Sequence, residues 1–378
     1  MNKRRLHVST AVAAVALVPL LLAGCGSSGN NGGNTSPPQS PSQQSGNAAQ
    51  EQSATSGEKV TIALLLPETA TSPRYESQDK PHFMEDVKQL DPNVNVIYSN
   101  AQGNASSQQQ QAEAAISNGA KVLVLDPVDA KAAAVIANKA KQSGVAMISY
   151  DRLITGTPNV DYYVSFDNER VGRLQGQYIA DHTKKGGTVV MINGAQTDNN
   201  ALLFAKGAHE VLDPLFQNGT LKKGYESYTP DWDAANGLRE MEQALTTLNN
   251  KVDGVLAAND NLAGSVIQAL RPQGLVGKVP ITGQDATDQG LKNIALGYQS
   301  MTVYKPIKDE TQAAAKLAVA LAQGQQPPAG LVNGQIDNGS KQVPSVLLTP
   351  IVVTKENIAD TVIKDGFTTW AKIGVPPQ

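Results

Sequence analysis

Side chains that can make paired hydrogen bonds recur along this 378-residue chain, and each group comes after an expected strand or the loop that follows it. The groups are Pro73-Arg74-Tyr75, Tyr150-Asp151-Arg152, Thr197-Asp198-Asn199-Asn200, Asp231-Trp232-Asp233, Ala258-Asn259-Asp260, Gly283-Gln284-Asp285 and Tyr304-Lys305-Pro306. A carboxylate accepts from two neighbouring hydroxyls, a guanidinium donates two parallel bonds, and an amide does one of each. Vicinal hydroxyls of a pyranose ring match this geometry, and the flat faces of Trp232 and Tyr75 suit its C–H surface. Charges of both signs fit a neutral polyol better than a phosphate or an amino acid.

A competing interpretation is that these residues only cap the helices that follow them. Asp and Asn are favoured N-caps, so Thr197, Asp233 and Asp260, taken singly, fit either role. Capping requires neither arginine nor tryptophan, and the groups contain both. The set as a whole therefore favours a ligand site.

Alternating strands and helices must position these groups. The expected strands are Val60–Leu66, Val94–Tyr98, Val122–Leu125, Ala146–Ser149, Thr188–Ile192, Gly254–Ala257 and Val279–Thr282. The expected helices, with apolar residues near every third or fourth position, include Ser106–Asn118, Ala130–Gln142, Asn200–Phe216, Ala234–Leu248 and Thr311–Ala322. This order predicts an α/β protein with two doubly wound, mostly parallel sheets. In such sheets, loops at the carboxyl ends of the strands form the ligand crevice.

The N-terminal segment predicts export and lipidation. Met1–Arg5 is basic, Ala11–Leu21 is apolar, and small residues precede the single cysteine, Cys25. The apolar run is about half of the roughly 20 residues that span a bilayer. We expect residues 1–24 to be a lipoprotein signal peptide and Cys25 to carry the lipid; an ordinary signal peptide or an uncleaved anchor are the alternatives. Residues 25–58, rich in Ser, Gly, Gln and Pro, are expected to form a disordered tether.

Composition and motifs argue against other classes of protein. A net charge of −3 gives no electrostatic footprint for nucleic acid. A sugar-sensing repressor would need an N-terminal helix-turn-helix, in place of which the chain has the exported segment. His7, His82, His182 and His209 lack metal-ligand spacing, and the sequence has no nucleophile elbow, phosphate loop or dinucleotide fingerprint. Paired carboxylates can cleave glycosides, but neighbouring arginines lower their pKa, which does not suit a general acid. We therefore expect neither an enzyme nor a cofactor or metal site.

From Tyr150 to Phe367 the chain closely resembles bacterial D-xylose-binding proteins of the ribose/galactose type of periplasmic binding protein (type I). The matching pieces are Tyr-Asp-Arg at 150–152, Ser-Phe-Asp-Asn-Glu at 165–169, Asp-Asn-Asn-Ala at 198–201, Asn-Asp at 259–260, Gly-Gln-Asp-Ala at 283–286, Met-Thr-Val-Tyr-Lys-Pro at 301–306 and Asp-Thr-Val-Ile-Lys-Asp-Gly-Phe at 360–367. The resemblance implies a sugar held between two lobes, with Trp232 stacked on it and Tyr75 as a second ring. It implies hydrogen bonds to the sugar from Arg74, Asp151, Arg152, Asp198, Asn200, Asn259, Asp285 and Lys305. The family usually has tryptophan where Tyr75 stands, and the loop before Trp232 reads Thr-Pro-Asp rather than ending in Asp-Gly. Either departure can shift the preference among sugars.

The resemblance also implies the organisation of the molecule and its partners. The N-terminal lobe is expected at 59–167 plus 304–330, and the C-terminal lobe at 168–303 plus 331–378. Three hinge crossovers are expected near Phe166–Asn168, Val303–Lys305 and residues 328–348. The function implied is capture of D-xylose outside the cytoplasmic membrane by a lipid-anchored monomer that delivers it to an ABC permease and its ATPase. Another monosaccharide (glucose, ribose, arabinose or galactose), or a sensor that presents its closed form to a membrane kinase, remains an alternative.

Overall fold

Short apolar runs form the central strands of the sheets, as the sequence predicts. The structure, a computed structural model, describes residues 59–377. The strands are β1 (Thr61–Leu66), β2 (Asn95–Asn100), β3 (Ala120–Leu125), β4 (Ala146–Tyr150), β5 (Tyr162–Phe166), β6 (Thr188–Asn193), β7 (Lys222–Tyr228), β8 (Gly254–Ala257), β9 (Thr302–Tyr304), β10 (Gly334–Asp337), β11 (Gln342–Leu348) and β12 (Ile351–Val353). The helices are α1 (Lys80–Leu90), α2 (Ala105–Ser117), α3 (Ala134–Gln142), α4 (Asn168–His182), α5 (Asn199–Gln217), α6 (Ala234–Thr247), α7 (Asp260–Leu270), α8 (Asp288–Ala295), α9 (Ile307–Ala322) and α10 (Trp370–Ile373). The predicted α/β class is confirmed.

The N-terminal lobe is built on a seven-stranded sheet in the order β10-β11-β5-β4-β3-β1-β2. Its strands are parallel except at the edge, where β10 runs antiparallel to β11. Every residue of β1 is buried, because helices cover both faces of a parallel sheet. Helices α1 and α9 pack on one face, and α2 and α3 on the other.

The C-terminal lobe has a smaller sheet in the order β7-β6-β8, also parallel. The predicted strand Val279–Thr282 contributes only a single parallel bridge, between Val255 and Ile281. Strands β9 and β12 pair antiparallel beside it. Helices α4 to α8 and α10 belong to this lobe, whose main core includes Val190, Ile192 and Trp232.

Glycines let α4 and α5 approach each other at backbone distance. A Cβ atom at Gly172 would lie 1.9 Å from the carbonyl oxygen of Phe204, and one at Gly207 would lie 1.9 Å from that of Glu169. No larger side chain fits either position without moving a helix. The close packing fixes the start of α5, which carries Asp198 and Asn200.

The chain passes between the lobes three times, at 166–168, 304–307 and 348–351. The first two crossovers lie where the sequence predicts them, and the third lies at the end of the predicted segment 328–348. The predicted C-terminal lobe segment 331–378 differs from the structure over residues 334–348. These residues form β10 and β11, and β11 pairs with β5 of the N-terminal sheet. The physical reason is burial, since Val343 and Val346 fill the N-terminal cores.

The predicted signal peptide (1–24), the lipidated Cys25 and the tether (25–58) lie outside the described residues. Residues 59–377 belong to one compact unit. Over this range, no helix has the length and apolar character needed to cross a membrane. Within the same part of the chain, no cluster of His, Cys, Asp or Glu is arranged to hold a metal ion.

Candidate functional site

The strand-end groups converge on one cavity between the lobes, with an empty volume of about 380 Å³. Its walls include all ten side chains that the sequence selects: Arg74, Tyr75, Asp151, Arg152, Asp198, Asn200, Trp232, Asn259, Asp285 and Lys305. The cavity is also lined by four residues that the sequence did not select: Thr71, Ser72, Phe204 and Gln284. Both lobes contribute, as the crevice rule for open α/β sheets requires.

Arg74 is held by a cage of carboxylates in the N-terminal lobe. Its Nε and Nη2 donate to Asp79 at 3.0 and 2.7 Å, and Nη2 also donates to Glu310 at 3.0 Å. Its Nη1 lies 3.3 Å from Asp151 Oδ2. These contacts fix the guanidinium plane before any ligand is bound, which reduces the entropy lost on binding.

Asp151 joins the two lobes. Its Oδ2 accepts from the Tyr75 hydroxyl at 3.3 Å, and its backbone carbonyl accepts from Asn200 Nδ2 at 2.9 Å. Burial opposes ionisation of this carboxyl, but the charges of Arg74, Lys305 and Arg152 outweigh it and lower the pKa of Asp151 to about 2. Asp151 is therefore a fixed anion at neutral pH.

A second series of ionic and hydrogen-bond contacts crosses the cleft from Arg152. Arg152 Nε lies 3.0 Å from Asp198 Oδ2, and the same oxygen accepts from Trp232 Nε1 at 3.1 Å. Burial raises the pKa of Asp198, and the charge of Arg152 opposes that rise. Asp198 also caps α5 by accepting from Asn200 N at 2.8 Å, so capping and site roles coexist in one residue.

Trp232 is packed in place by a glycine opposite its ring. A Cβ atom at Gly194 would lie 2.1 Å from the ring, and Phe204 contacts the ring at 6.5 Å between centroids in an edge-on arrangement. Trp232 is 7% exposed, so most of its surface belongs to the core of the C-terminal lobe.

The remaining residues close the C-terminal wall. Asn259 caps α7 by accepting from Leu262 N at 2.9 Å and also lines the cavity. Lys305 lies 3.5 Å from Asp285 Oδ1 and 3.8 Å from Asp151 Oδ1, so it links carboxylates of the two lobes. Burial lowers the pKa of Lys305, but Asp151 and Asp285 raise it by more, and the ammonium stays charged.

Three of these residues have a left-handed backbone, with φ of 52° at Asp151, 57° at Trp232 and 90° at Asp285. Such conformations cost about 1–3 kcal/mol each for residues other than glycine, and they cluster at ligand sites. The surrounding bonds hold these side chains toward the cavity in spite of that cost.

Three buried residues outside the cavity wall hold site residues in place, and the sequence analysis did not select them. Asp79 and Glu310 hold Arg74, and Asp126 lies under Arg152 at 3.7 Å. Asp126 directly follows β3, so the strand-end rule could have found it; Glu310 lies inside α9 and has no local pattern. Burial raises the pKa of both Asp126 and Glu310 well above the usual range, and Asp151 adds to the rise for Glu310.

Two of the three residues with an ambiguous role, Asp233 and Asp260, have different roles in the structure. Asp233 is an exposed cap of α6, accepting from Ala235 N at 2.6 Å. Asp260 is buried and accepts from Gln299 Nε2 at 2.7 Å and from Thr287 N at 2.8 Å. Since Asp260 adjoins Asn259 and its own N–H donates to Gln284 O, it ties together the loops that carry Asn259 and Asp285.

Comparison with known proteins identifies the family. The model of the periplasmic binding protein domain matches residues 62–326. The chain belongs to the periplasmic binding protein family. It is 45% identical to the D-xylose-binding periplasmic protein of Escherichia coli (strain K12), over 77% of this chain and 86% of that protein. It is 44% identical to the protein of the same description from Haemophilus influenzae, over 74% and 82% of the two chains.

A solved structure supports the type I fold. The carbohydrate transporter solute-binding protein of Chloroflexus aurantiacus, in complex with D-glucose, superposes with a TM-score of 0.77 at 34% identity. The match covers 83% of this chain and 98% of that one. This periplasmic binding protein therefore shares its fold with a protein that binds a monosaccharide.

Proposed function

We propose that this protein captures D-xylose outside the cytoplasmic membrane and delivers it to the permease and ATPase of an ABC importer. The observation that carries the proposal is the single cavity that all ten selected strand-end side chains line. The 45% and 44% identities to two D-xylose-binding periplasmic proteins support this choice of sugar.

The polar side chains are proposed to hold the hydroxyls of the sugar, and Trp232 and Tyr75 to contact its ring. Asp151 and Asp285 accept hydrogen bonds, Arg152 donates them, and amides such as Asn259 do both. A micromolar dissociation constant corresponds to about −8 kcal/mol, which a few charge-assisted bonds and one stacked ring can supply.

We infer that no chemistry is performed on the sugar. A general acid for glycoside cleavage needs a carboxyl that is protonated near neutral pH. Asp151, with its pKa lowered to about 2, does not meet this requirement. The other two cavity carboxyls are already engaged by cations of the protein: Asp285 lies 3.5 Å from the Lys305 ammonium, and Asp198 lies 3.0 Å from Arg152 Nε.

The proposal includes the location of the protein. The lipid on Cys25 anchors a monomer to the outer face of the membrane through the tether of residues 25–58, and the lipid is its only membrane contact. One acyl chain gives only weak membrane binding, so the two or more chains of a lipoprotein are needed for stable anchoring.

D-glucose is a second candidate ligand, because the solved relative from Chloroflexus aurantiacus contains it. The cavity offers Tyr75, where the xylose-binding family usually has a larger ring. A smaller ring leaves room beside the sugar for the hydroxymethyl group by which a hexose exceeds a pentose.

A thermal-shift panel of xylose, glucose, ribose, arabinose, galactose and allose tests the proposal. A sugar that binds only the folded state raises the melting temperature in proportion to RT ln(1 + [L]/Kd). We expect xylose to give the largest shift. A larger shift with glucose would reassign the sugar, and no shift with any sugar would refute the function.

A further inference from the structure

The sugar cavity is closed at one end and open at the other. At the closed end the lobes contact each other directly, through Arg152 and Asp198 and through a backbone bond of 2.9 Å from Ala130 N to Thr197 O. At the other end, the walls formed by Arg74, Asn259 and Asp285 also line a second space. We call this second space the outer chamber, defined by Ser77, Gln78, Asn261, Asp288, Phe367 and Lys372 together with those shared walls.

The outer chamber is larger than the sugar cavity. Its empty volume, which includes space open to solvent, is about 1010 Å³, against about 380 Å³ for the cavity with which it shares walls. The bond found across it between the lobes, from Gln78 Nε2 to Phe367 O, is 3.4 Å long and therefore weak. A group in the chamber can displace this bond at little cost and leave the contacts at the closed end intact.

The lining of the chamber suits a neutral, hydroxyl-rich group. Gln78 and Asn261 provide amides, Phe367 provides a half-buried ring, and Lys372 and Asp288 carry opposite charges. Arg74, at the shared wall, already contacts Asp79, Asp151 and Glu310 at 2.7 to 3.3 Å. Without an uncompensated cluster of cations, the chamber does not select a phosphate or a carboxylate. Amides beside one ring are the groups by which proteins bind carbohydrate.

We propose that the cleft also binds a disaccharide of the same pentose, with one ring in the sugar cavity and the second in the outer chamber beside Phe367. This inference rests on the proposed function, because it assigns the first ring to the site already described. It extends the substrate class from free monosaccharides to short oligosaccharides.

Isothermal titration of the full-length protein with D-xylose and with β-1,4-xylobiose tests the inference. Either ring of the disaccharide can occupy the cavity, so the glycosidic bond to the second ring can extend from O1 or from O4 of the bound ring. We expect xylobiose to bind with a dissociation constant within about tenfold of that of xylose, equivalent to about 1.4 kcal/mol. Binding of xylose without binding of xylobiose would overturn the inference alone, whereas binding of neither would overturn the proposed function.

A variant that fills the chamber provides an independent test. Asn261 is exposed and lines the chamber but not the sugar cavity, so Asn261→Trp is expected to fold normally. It should weaken xylobiose binding by at least about tenfold and leave the affinity for xylose unchanged. Glu242→Trp, on the exposed face of α6, is the control and should change neither affinity. Equal xylobiose affinity in Asn261→Trp and Glu242→Trp would place the second ring outside the chamber and contradict the proposal.

Discussion

Individual residues of this site serve the ligand and the fold to different degrees. Trp232 is packed into the core against Phe204 and Gly194, so its removal would disturb both sugar binding and the fold. The side chain of Asp285 is 16% exposed and has one ionic partner, Lys305. Asp285 is therefore the better position at which to separate binding from stability.

We expect Asp285→Asn to weaken sugar binding by about 10- to 100-fold, because hydrogen bonds to a charged group contribute about 1.5–3 kcal/mol. The amide keeps the shape of the side chain, so the melting temperature without sugar should change little. Titration calorimetry and thermal denaturation of the same sample measure both quantities. A large fall in that melting temperature would show that Asp285 is structural.

Gln284 is one of the residues that line the cavity, and its side-chain amide oxygen is buried and has no hydrogen-bond partner within residues 59–377. A buried unpaired acceptor costs about 1–3 kcal/mol. We expect Gln284→Leu to raise the melting temperature without sugar and to weaken sugar binding by about tenfold, one neutral hydrogen bond being worth about 1 kcal/mol. Unchanged affinity would show that this oxygen does not reach the ligand.

At the residue scale, the sequence selects ten of the fourteen residues that line the cavity, but not the carboxyl residues that hold them in place. The ten wall residues follow strands, and the carboxyl ends of parallel strands must meet at one edge. Glu310 comes from the first turn of α9, and Asp79 from the π-helical segment Tyr75–Asp79 just before α1. Their placement under Arg74 depends on how α1 and α9 pack together, which no local pattern encodes.

At the scale of elements, the strands that are mostly apolar were predicted, including the edge strands β2 and β8, whereas the internal strand β5 and the edge strand β7 were not. Strands β1, β3 and β6 are continuous apolar runs, whereas β7 reads Lys-Lys-Gly-Tyr-Glu-Ser-Tyr and is half exposed. The polar composition of β7 resembles that of a loop, and tertiary pairing with β6 makes it a strand.

The contact between α4 and α5 gives a prediction for whole elements. Gly207→Ala would place a Cβ atom 1.9 Å from a backbone carbonyl, so the two helices must separate. We expect a loss of about 1–3 kcal/mol in the free energy of unfolding, as in other overpacked cores. Gly264→Ala on α7 is the matched control: its Cβ meets no atom within 4 Å, and it should stabilise the protein by about 1 kcal/mol. Equal denaturation midpoints for the two variants would contradict this interpretation of the glycines.

For the whole molecule, Asp260 makes stability depend on pH. Burial raises the pKa of Asp260 from 3.8 to about 7, and nearby Asp285 contributes to the rise. At a pH between these two pKa values, the folded state holds a proton on Asp260 that the unfolded state releases. The contribution of Asp260 to the free energy of unfolding therefore falls as the pH increases from about 4 to about 7.

The variant Asp260→Asn removes this ionisation. Relative to the variant, the wild type should lose up to about 1.4 kcal/mol per pH unit over that window. Gln299, whose Oε1 lacks a hydrogen-bond partner in the described part of the chain, can reorient to accept from the new amide. Urea denaturation at pH 4.5, 5.5, 6.5 and 7.5 provides the measurement. Parallel profiles for the two proteins would mean that Asp260 does not titrate in this range.

Two of the three connections between the lobes are not independent. The second leaves from β9 and the third enters β12, and these strands are paired residue by residue, Tyr304 opposite Ile351 and Thr302 opposite Val353. A bend in one connection must therefore be followed by a bend in the other, and the paired connections and the single one at 166–168 define one axis. Twisting or sideways sliding of the lobes is suppressed, so the mouth of the cleft should widen along a single path. Two spectroscopic labels, one on each lobe, would suffice to follow that motion from start to finish.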